Sequence, residues 1–368
     1  MNGNKKKKYK INYLRLVFVI IIFIALIAGI IALVSLIADK ADAEQDDSTA
    51  KSIVYREYDF EESSQAEETI APITAFLPAI TADTIEFGSE IYSEYGVLVD
   101  LDSYTAVAQR NAGERMYPAS LTKIMTLIVA VENIDDLNAT FTMTNEIIAP
   151  LAELHASVAG FSEGEVCTLK DLLYGLILPS GADASAAISE YVAGSEAAFV
   201  EMMNEKAAEL GLENTHFVNT SGLHDDNHYS TALDFAVILK YAMDNEICRE
   251  VLSQFQYTTQ ITEQHPEGIP LTSDLFARMY GDEADGFTIL GGKTGFTDQA
   301  GHCLGTFAKN NESGKEYLLI LCKASGSKWY PVYDTELVYE YLNGIEPAQN
   351  SNTADSESSS SDSASATE

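Results

Sequence analysis

The chain has 368 residues, 46% of them hydrophobic, enough for one large domain with attachments. Its formal net charge of -34 argues against a nucleic-acid partner, whose phosphates call for the opposite sign. Four cysteines (Cys167, Cys248, Cys303, Cys322), scattered and without a Cys-x-x-Cys, cannot form a disulfide framework for a domain of this size.

The charge is unevenly placed. Lys5, Lys6, Lys7, Lys8, Lys10 and Arg15 form a basic segment over 1–13 and its edge, and an uncharged apolar run follows from Leu16 to Ala38. That run exceeds the roughly 20 residues that cross a bilayer, so 14–38 is predicted to be a transmembrane anchor. Lysines before it and Asp39, Asp42, Glu44, Asp46 and Asp47 after it orient the N-terminus inside and the rest outside. The alternative is a signal peptide cleaved at Ala41-Asp42-Ala43, and either reading exports the remainder. Residues 39–85 are acidic and aperiodic, a linker reaching roughly 40 Å as a flexible coil. Residues 346–368, almost all Ser, Asp, Glu, Ala, Thr and Asn, are predicted to be a disordered tail.

The globular part is therefore 86–345. Gly96–Leu101 and Ala106–Ala108 alternate as a hairpin turned at Asp102-Ser103. A long helix follows that includes Ser120, apolar on nearly every side from Leu121 to Val131. Mixed loop and short strand are expected over Phe141–Val166, then helices over Leu169–Leu178, Ala184–Ala193, Ser195–Leu210 (closed by Gly211) and Thr231–Asp244. Strands are predicted at Thr288–Leu290, His302–Ala308 and Glu316–Cys322, before a closing helix over Pro331–Asn343. An early hairpin and late strands with helices between them imply an α+β fold: an antiparallel sheet flanked by helices, with an inserted helical lobe. Buried free thiols are the expectation for the cysteines, with a Cys303–Cys322 disulfide between adjacent predicted strands as the alternative.

Within the apolar helix, Ser120 and Lys123 are three positions apart, so one turn brings the amine to the hydroxyl as a nucleophile and its base. The spacing alone is weak, because Ser48-Thr-Ala-Lys51 and Ser325-Gly-Ser-Lys328 repeat it in polar surroundings. Two more motifs give it context. Pro179-Ser180-Gly181-Ala182 puts a serine at the end of an apolar helix, and Gly292-Lys293-Thr294-Gly295-Phe296 ends a glycine-rich strand where a substrate backbone can approach.

This order resembles the active-site serine penicillin-binding proteins and β-lactamases, whose motifs are Ser-x-x-Lys, Ser-x-Asn and Lys-Thr-Gly. More narrowly, Pro118–Thr126, Thr215–His224, His228–Asp234 and Lys293–Thr297 with Ala300-Gly301 resemble the low-molecular-mass D-alanyl-D-alanine carboxypeptidases. The resemblance implies a β-lactamase/transpeptidase-like fold and a serine peptidase that removes the terminal D-alanine from peptidoglycan stem pentapeptides. It implies acylation by β-lactam antibiotics, and neither cofactor nor metal. It makes Ser120 the nucleophile, Lys123 its general base and Ser180 a proton relay. Lys293, Thr294 and Gly295 become the substrate-binding strand, and backbone N–H groups of Ser120 and Phe296 the oxyanion hole. Ala182 departs from the family, which has asparagine there and so a donor that a methyl group lacks.

Three other readings stand beside it. A β-lactamase needs a deacylating glutamate, and the nearest match is Glu209-Leu-Gly-Leu212, better explained as a helix end. A zinc site on His224 and His228 lacks a glutamate beside the first histidine. A non-catalytic penicillin- or peptidoglycan-binding sensor has Ala182 as its only support. Trp329, Tyr330 and Tyr333 read as core or rim aromatics, Ser230, Thr231 and Asp234 as a helix cap and its packing, and Asp183 as a cap for the helix after Ser180.

Overall fold

The computed structural model describes residues 77–154, 156–279 and 284–342. The basic segment, the apolar run to Ala38, most of the linker and the 346–368 tail lie outside the described residues. Among the described residues, no helix is long and apolar enough to cross a membrane.

A two-residue strand β1 (Ile85–Glu86) leads into the hairpin of β2 (Tyr95–Asp100) and β3 (Thr105–Arg110). The hairpin turns where expected, because Asp100 Oδ1 accepts from the N–H groups of Asp102 and Ser103 at 2.9 and 3.0 Å. A 3₁₀ turn, Ala119–Leu121, precedes helix α1 (Thr122–Asn133). Ser120 therefore does not sit in the long helix; it sits in the tighter turn ahead of it, and only Lys123 is α-helical. Strand β4 (Thr140–Thr142) pairs with β5 (Val166–Thr168) around helix α2 (Asn145–Glu153). Pro150 inside α2 disguises it as loop in the sequence.

Helix α3 (Leu169–Ile177) begins in a capping box, with Thr168 accepting from the Asp171 backbone and Asp171 from the Thr168 backbone. Helices α4 (Ala182–Ala193), α5 (Glu196–Glu209), α6 (Ala232–Asp244) and α7 (Glu246–Ser253) follow. A small ribbon of β6 (Gln256–Thr258) and β7 (Pro270–Thr272) precedes helix α8 (Asp274–Met279). Long strands β8 (Phe287–Thr297), β9 (Gly301–Asn310) and β10 (Glu316–Ala324) and helix α9 (Tyr330–Tyr341) complete the chain.

The main sheet has the order β1-β3-β2-β10-β9-β8, antiparallel except for the β1–β3 pair. Its centre, β10, is apolar from Tyr317 to Cys322 because both faces are covered. Leu318, Ile320 and Cys322 join the core shared with α1, α3, α5 and α6, whereas Tyr317, Leu319 and Leu321 pack with α8 and α9. Each such side chain contributes about 1.5–3 kcal/mol by burial. All four cysteines are buried and free, so Cys303 and Cys322 are adjacent thiols and not a disulfide.

Among the described residues strand β8 ends the sheet, so one of its edges makes no ladder and faces the helical lobe. Across a cleft from that edge lies the Ala119–Leu121 turn, and the second motif comes near through Asp183, whose charge acts on Lys123.

Candidate active site

The first wall of the cleft is the 3₁₀ turn. Ala119 has φ of 47°, in the left-handed region, which side chains rarely adopt. The turn is seated by two glycines: a methyl group on Gly222 would lie 1.9 Å from the Ala119 carbonyl oxygen, and one on Gly295 would lie 3.0 Å from Ser120 N. Close backbone approach, which only glycine permits, thus brings the 219–222 segment and the β8 edge to either side of Ser120.

Ser120 is half-buried, and Lys123, 2% exposed, donates from Nζ to its Oγ at 3.2 Å. The amine also donates to the Ser221 carbonyl oxygen at 2.7 Å. That carbonyl is also within 3.4 Å of Ser120 Oγ, which donates to it. Burial, first, and the nearby charge of Lys293, second, hold Lys123 well below the ordinary lysine range, with Asp183 opposing them. A neutral amine so placed gives one N–H to Ser221 and can turn its lone pair to the Ser120 hydroxyl.

The second wall comes from the turn between α3 and α4. Ser180 is buried with φ of 64°, and its Oγ has no hydrogen-bond partner among the described residues. An unsatisfied buried hydroxyl on a strained backbone is costly unless a substrate group completes it. The family's asparagine position, Ala182, is buried, and its backbone N–H donates to Ser157 O at 2.8 Å. Asp183 does not cap α4, whose N-cap position is Gly181 and has no side-chain cap. Its Oδ1 does accept from the first-turn Ala184 N–H of that helix at 2.9 Å, and the carboxylate also accepts from the N–H groups of Ala159, Gly160 and Phe161, fixing that loop beside the site.

The third wall is β8. Lys293 is 1% exposed and donates to Thr294 O at 2.9 Å. Burial pushes its pKa down to about 7, with Asp274 raising it and Arg278 lowering it further. Thr294 is buried, Gly295 abuts Ser120, and Phe296 is half-exposed with its ring stacked on His302 at 4.3 Å. Ser120, Lys123, Lys293 and Gly295 are thus gathered at one place. The decoy Ser325–Lys328 lies in the loop before α9.

Sequence reading missed the Ser221 carbonyl, the third member of the Ser120–Lys123 group. It sits in a turn made by Asn219, whose Oδ1 accepts from Ser221 N and Gly222 N at 3.2 and 2.7 Å. The signal was Asn219-Thr-Ser-Gly222, an Asn-to-Gly turn inside the resembling stretch. Of the rival readings, the metal one fares badly. His228 is 2% exposed with both ring nitrogens engaged, to Thr122 and Val218, and His224 lies 3.5 Å from Asp226. Among the described residues, no three His, Cys, Asp or Glu side chains gather to hold a metal. Glu209 ends α5 in a 2.6 Å ion pair with Lys206, as a helix-end residue would.

The chain is similar to known proteins in both sequence and fold. The chain is 33% identical over 241 residues to the D-alanyl-D-alanine carboxypeptidase DacF of Bacillus subtilis, covering 66% of this chain and 59% of that one. It is 32% identical over 254 residues to the carboxypeptidase DacA of Escherichia coli, covering 64% and 59%. The chain thus spans about three-fifths of the length of these relatives. The crystal structure of the Streptomyces K15 DD-transpeptidase superimposes with a TM-score of 0.61 at 27% identity, covering 69% of this chain and 97% of that one. A carboxypeptidase from Mycobacterium tuberculosis, at 24% identity and a TM-score of 0.61, shares the fold. A family profile matches residues 81–320, and the chain belongs to the D-alanyl-D-alanine carboxypeptidase family.

Proposed function

We propose that this protein is a serine-type D-alanyl-D-alanine carboxypeptidase acting on peptidoglycan stem pentapeptides. The observation that carries the reading is the buried Lys123 amine, 3.2 Å from Ser120 Oγ and held below the ordinary lysine range. A depressed amine against a hydroxyl is what activates a serine at neutral pH.

In this reading the stem peptide lies along the free edge of β8, with its terminal carboxylate at Lys293 and Thr294. Lys123 removes the Ser120 proton as Oγ attacks the penultimate D-alanine carbonyl. The oxyanion is met by the backbone N–H groups of Ser120 and Phe296, each worth roughly 2.7–4 kcal/mol. Ser180 passes a proton to the leaving amine, D-alanine departs, and an ester to Ser120 remains. Water then adds to the ester and returns the hydroxyl. A β-lactam enters the same course through its carboxylate and strained amide, stopping at the ester. The basic N-terminal segment and the apolar run after it anchor the protein in the cell membrane, with this domain on the wall side.

The test uses wild type and Ser120→Ala, each incubated with a fluorescent penicillin and with a peptide ending in D-Ala-D-Ala. Covalent labelling and D-alanine release, both lost in the variant, are expected. Labelling without release favours a penicillin-binding sensor; no labelling of wild type contradicts the assignment of Ser120.

A further inference from the structure

The block His228–Asp234 resembles the family, yet the chemistry above uses none of it. His228 lies in it, buried and between the two pieces of chain that surround the reactive pair. Its Nδ1 accepts from the Val218 backbone N–H at 3.2 Å, which leaves the ring proton on Nε2 to donate to Thr122 Oγ1 at 2.8 Å. Thr122 stands between Ser120 and Lys123, at the start of α1. Val218 begins the run into the Asn219 turn, whose Ser221 carbonyl receives Lys123.

Resting on the carboxypeptidase reading for its kinetic consequences, we propose that His228 is a positioning residue for the Ser120–Lys123 pair, tying the first turn of α1 to the segment that carries the Ser221 carbonyl. One imidazole fixes both partners of the amine: the helix that bears it and the carbonyl that orients it. Other ties brace the same segment: Thr126 Oγ1 donates to Thr220 O at 2.7 Å, Ser185 Oγ donates to Thr220 Oγ1 at 2.8 Å, and Thr220 donates to Glu196 Oε1. Thr126 Oγ1 also lies 3.5 Å from the Thr122 carbonyl oxygen, within the helix, but among the hydrogen bonds of the described residues only His228 joins the Thr122 side chain to the segment's start.

The link needs a neutral ring, because a second proton on Nδ1 would face the Val218 N–H. Burial, the neighbouring His216 and His224, and Lys123 push the His228 pKa down to about 4, with Asp225 opposing, so the pattern persists through the neutral range. Around the amine itself stand Lys293 and Asp183. Loosening the segment lets water reach Nζ and restores part of its basicity, which appears as an acid limb of acylation displaced to higher pH.

The experiment compares wild type, His228→Gln, Thr122→Val and the double variant, the second being a near-isosteric change that folds if His228→Gln does not. Acylation by a fluorescent penicillin is followed across pH, and the Lys123 amine is titrated by carbon-13 NMR at its Cε. Each single variant is expected to slow acylation about 10- to 100-fold with initial penicillin binding changed less than about threefold. The acid limb and the Lys123 titration should both move upward, and the double variant should match the singles because both cut one link. Folded variants with a wild-type acid limb and an unmoved Lys123 overturn the proposal, as does a double variant that multiplies the losses. If wild type is not acylated at all, the carboxypeptidase reading fails, while the Lys123 titration still decides the positioning role.

Discussion

Two buried polar centres on either side of the sheet have opposite designs. Beneath α9, Asp334 is fully buried, and its carboxylate accepts from Tyr92 N, Ser93 N and Ser93 Oγ at 2.8, 2.8 and 2.7 Å. Across the sheet, the cleft buries two amines, leaves the Ser180 hydroxyl unpartnered and holds Ala119 and Ser180 at positive φ. The first centre satisfies every polar group and so holds α9 against the segment that enters β2. The second withholds solvation and partners, which costs stability and leaves groups ready for a substrate.

The two centres differ most at Lys123. Lys123→Met should abolish penicillin acylation, a loss of roughly 10⁴-fold, while raising the melting temperature, because it removes a desolvated amine from the cleft. A variant that loses activity and melts lower would place Lys123 among the structural groups. Ser180→Ala comes next. Proton relay contributes about 10²–10⁴-fold, so turnover of the peptide should fall in that range with no loss of stability, since Oγ has no partner to forfeit.

Asp334→Ala should show the mirror image. It strands two N–H donors and a hydroxyl, costing about 2–3 kcal/mol, with the acylation rate of the folded fraction within about twofold of wild type. Equal damage to rate and stability would merge the two centres into one. The smallest effect is in pH dependence. Lys293 titrates near 7 in the folded state against about 10.4 unfolded, so the unfolded state binds more protons across that window. Its burial therefore penalises stability most near pH 7 and progressively less toward pH 10. The melting difference between Lys293→Met and wild type should shrink over that range. The kcat/KM profile for the peptide should also fall above pH 7, where Lys293 loses the charge proposed to hold the carboxylate.

Much of this was legible because the relevant signals are side chains. The apolar run after Ser120 announced a buried helix, the alternation at Gly96–Leu101 a strand, and Gly211 a helix end, at φ of 71°. Side-chain type does not fix the turn geometry at Ser120, where Gly222 and Gly295, distant in sequence, press the backbone into a 3₁₀ turn. The β10–β2 pairing between the late strands and the early hairpin is likewise tertiary, set by burial on both faces. The Ser221 carbonyl escaped notice for a simpler reason: a backbone oxygen is common to every residue, and only the fold aims it. The local half of Asp183's role, its bond from the Ala184 N–H, could be read from its neighbours in sequence, whereas its partners at 159–161 arrive from another loop.

The proposed chemistry requires Lys123 to be a neutral base in the resting protein. Carbon-13 NMR of lysine Cε groups, with Lys123 assigned by Lys123→Met, measures this directly. A resonance titrating well below the ordinary lysine range is predicted; titration near the unperturbed value of about 10.4 would contradict the account.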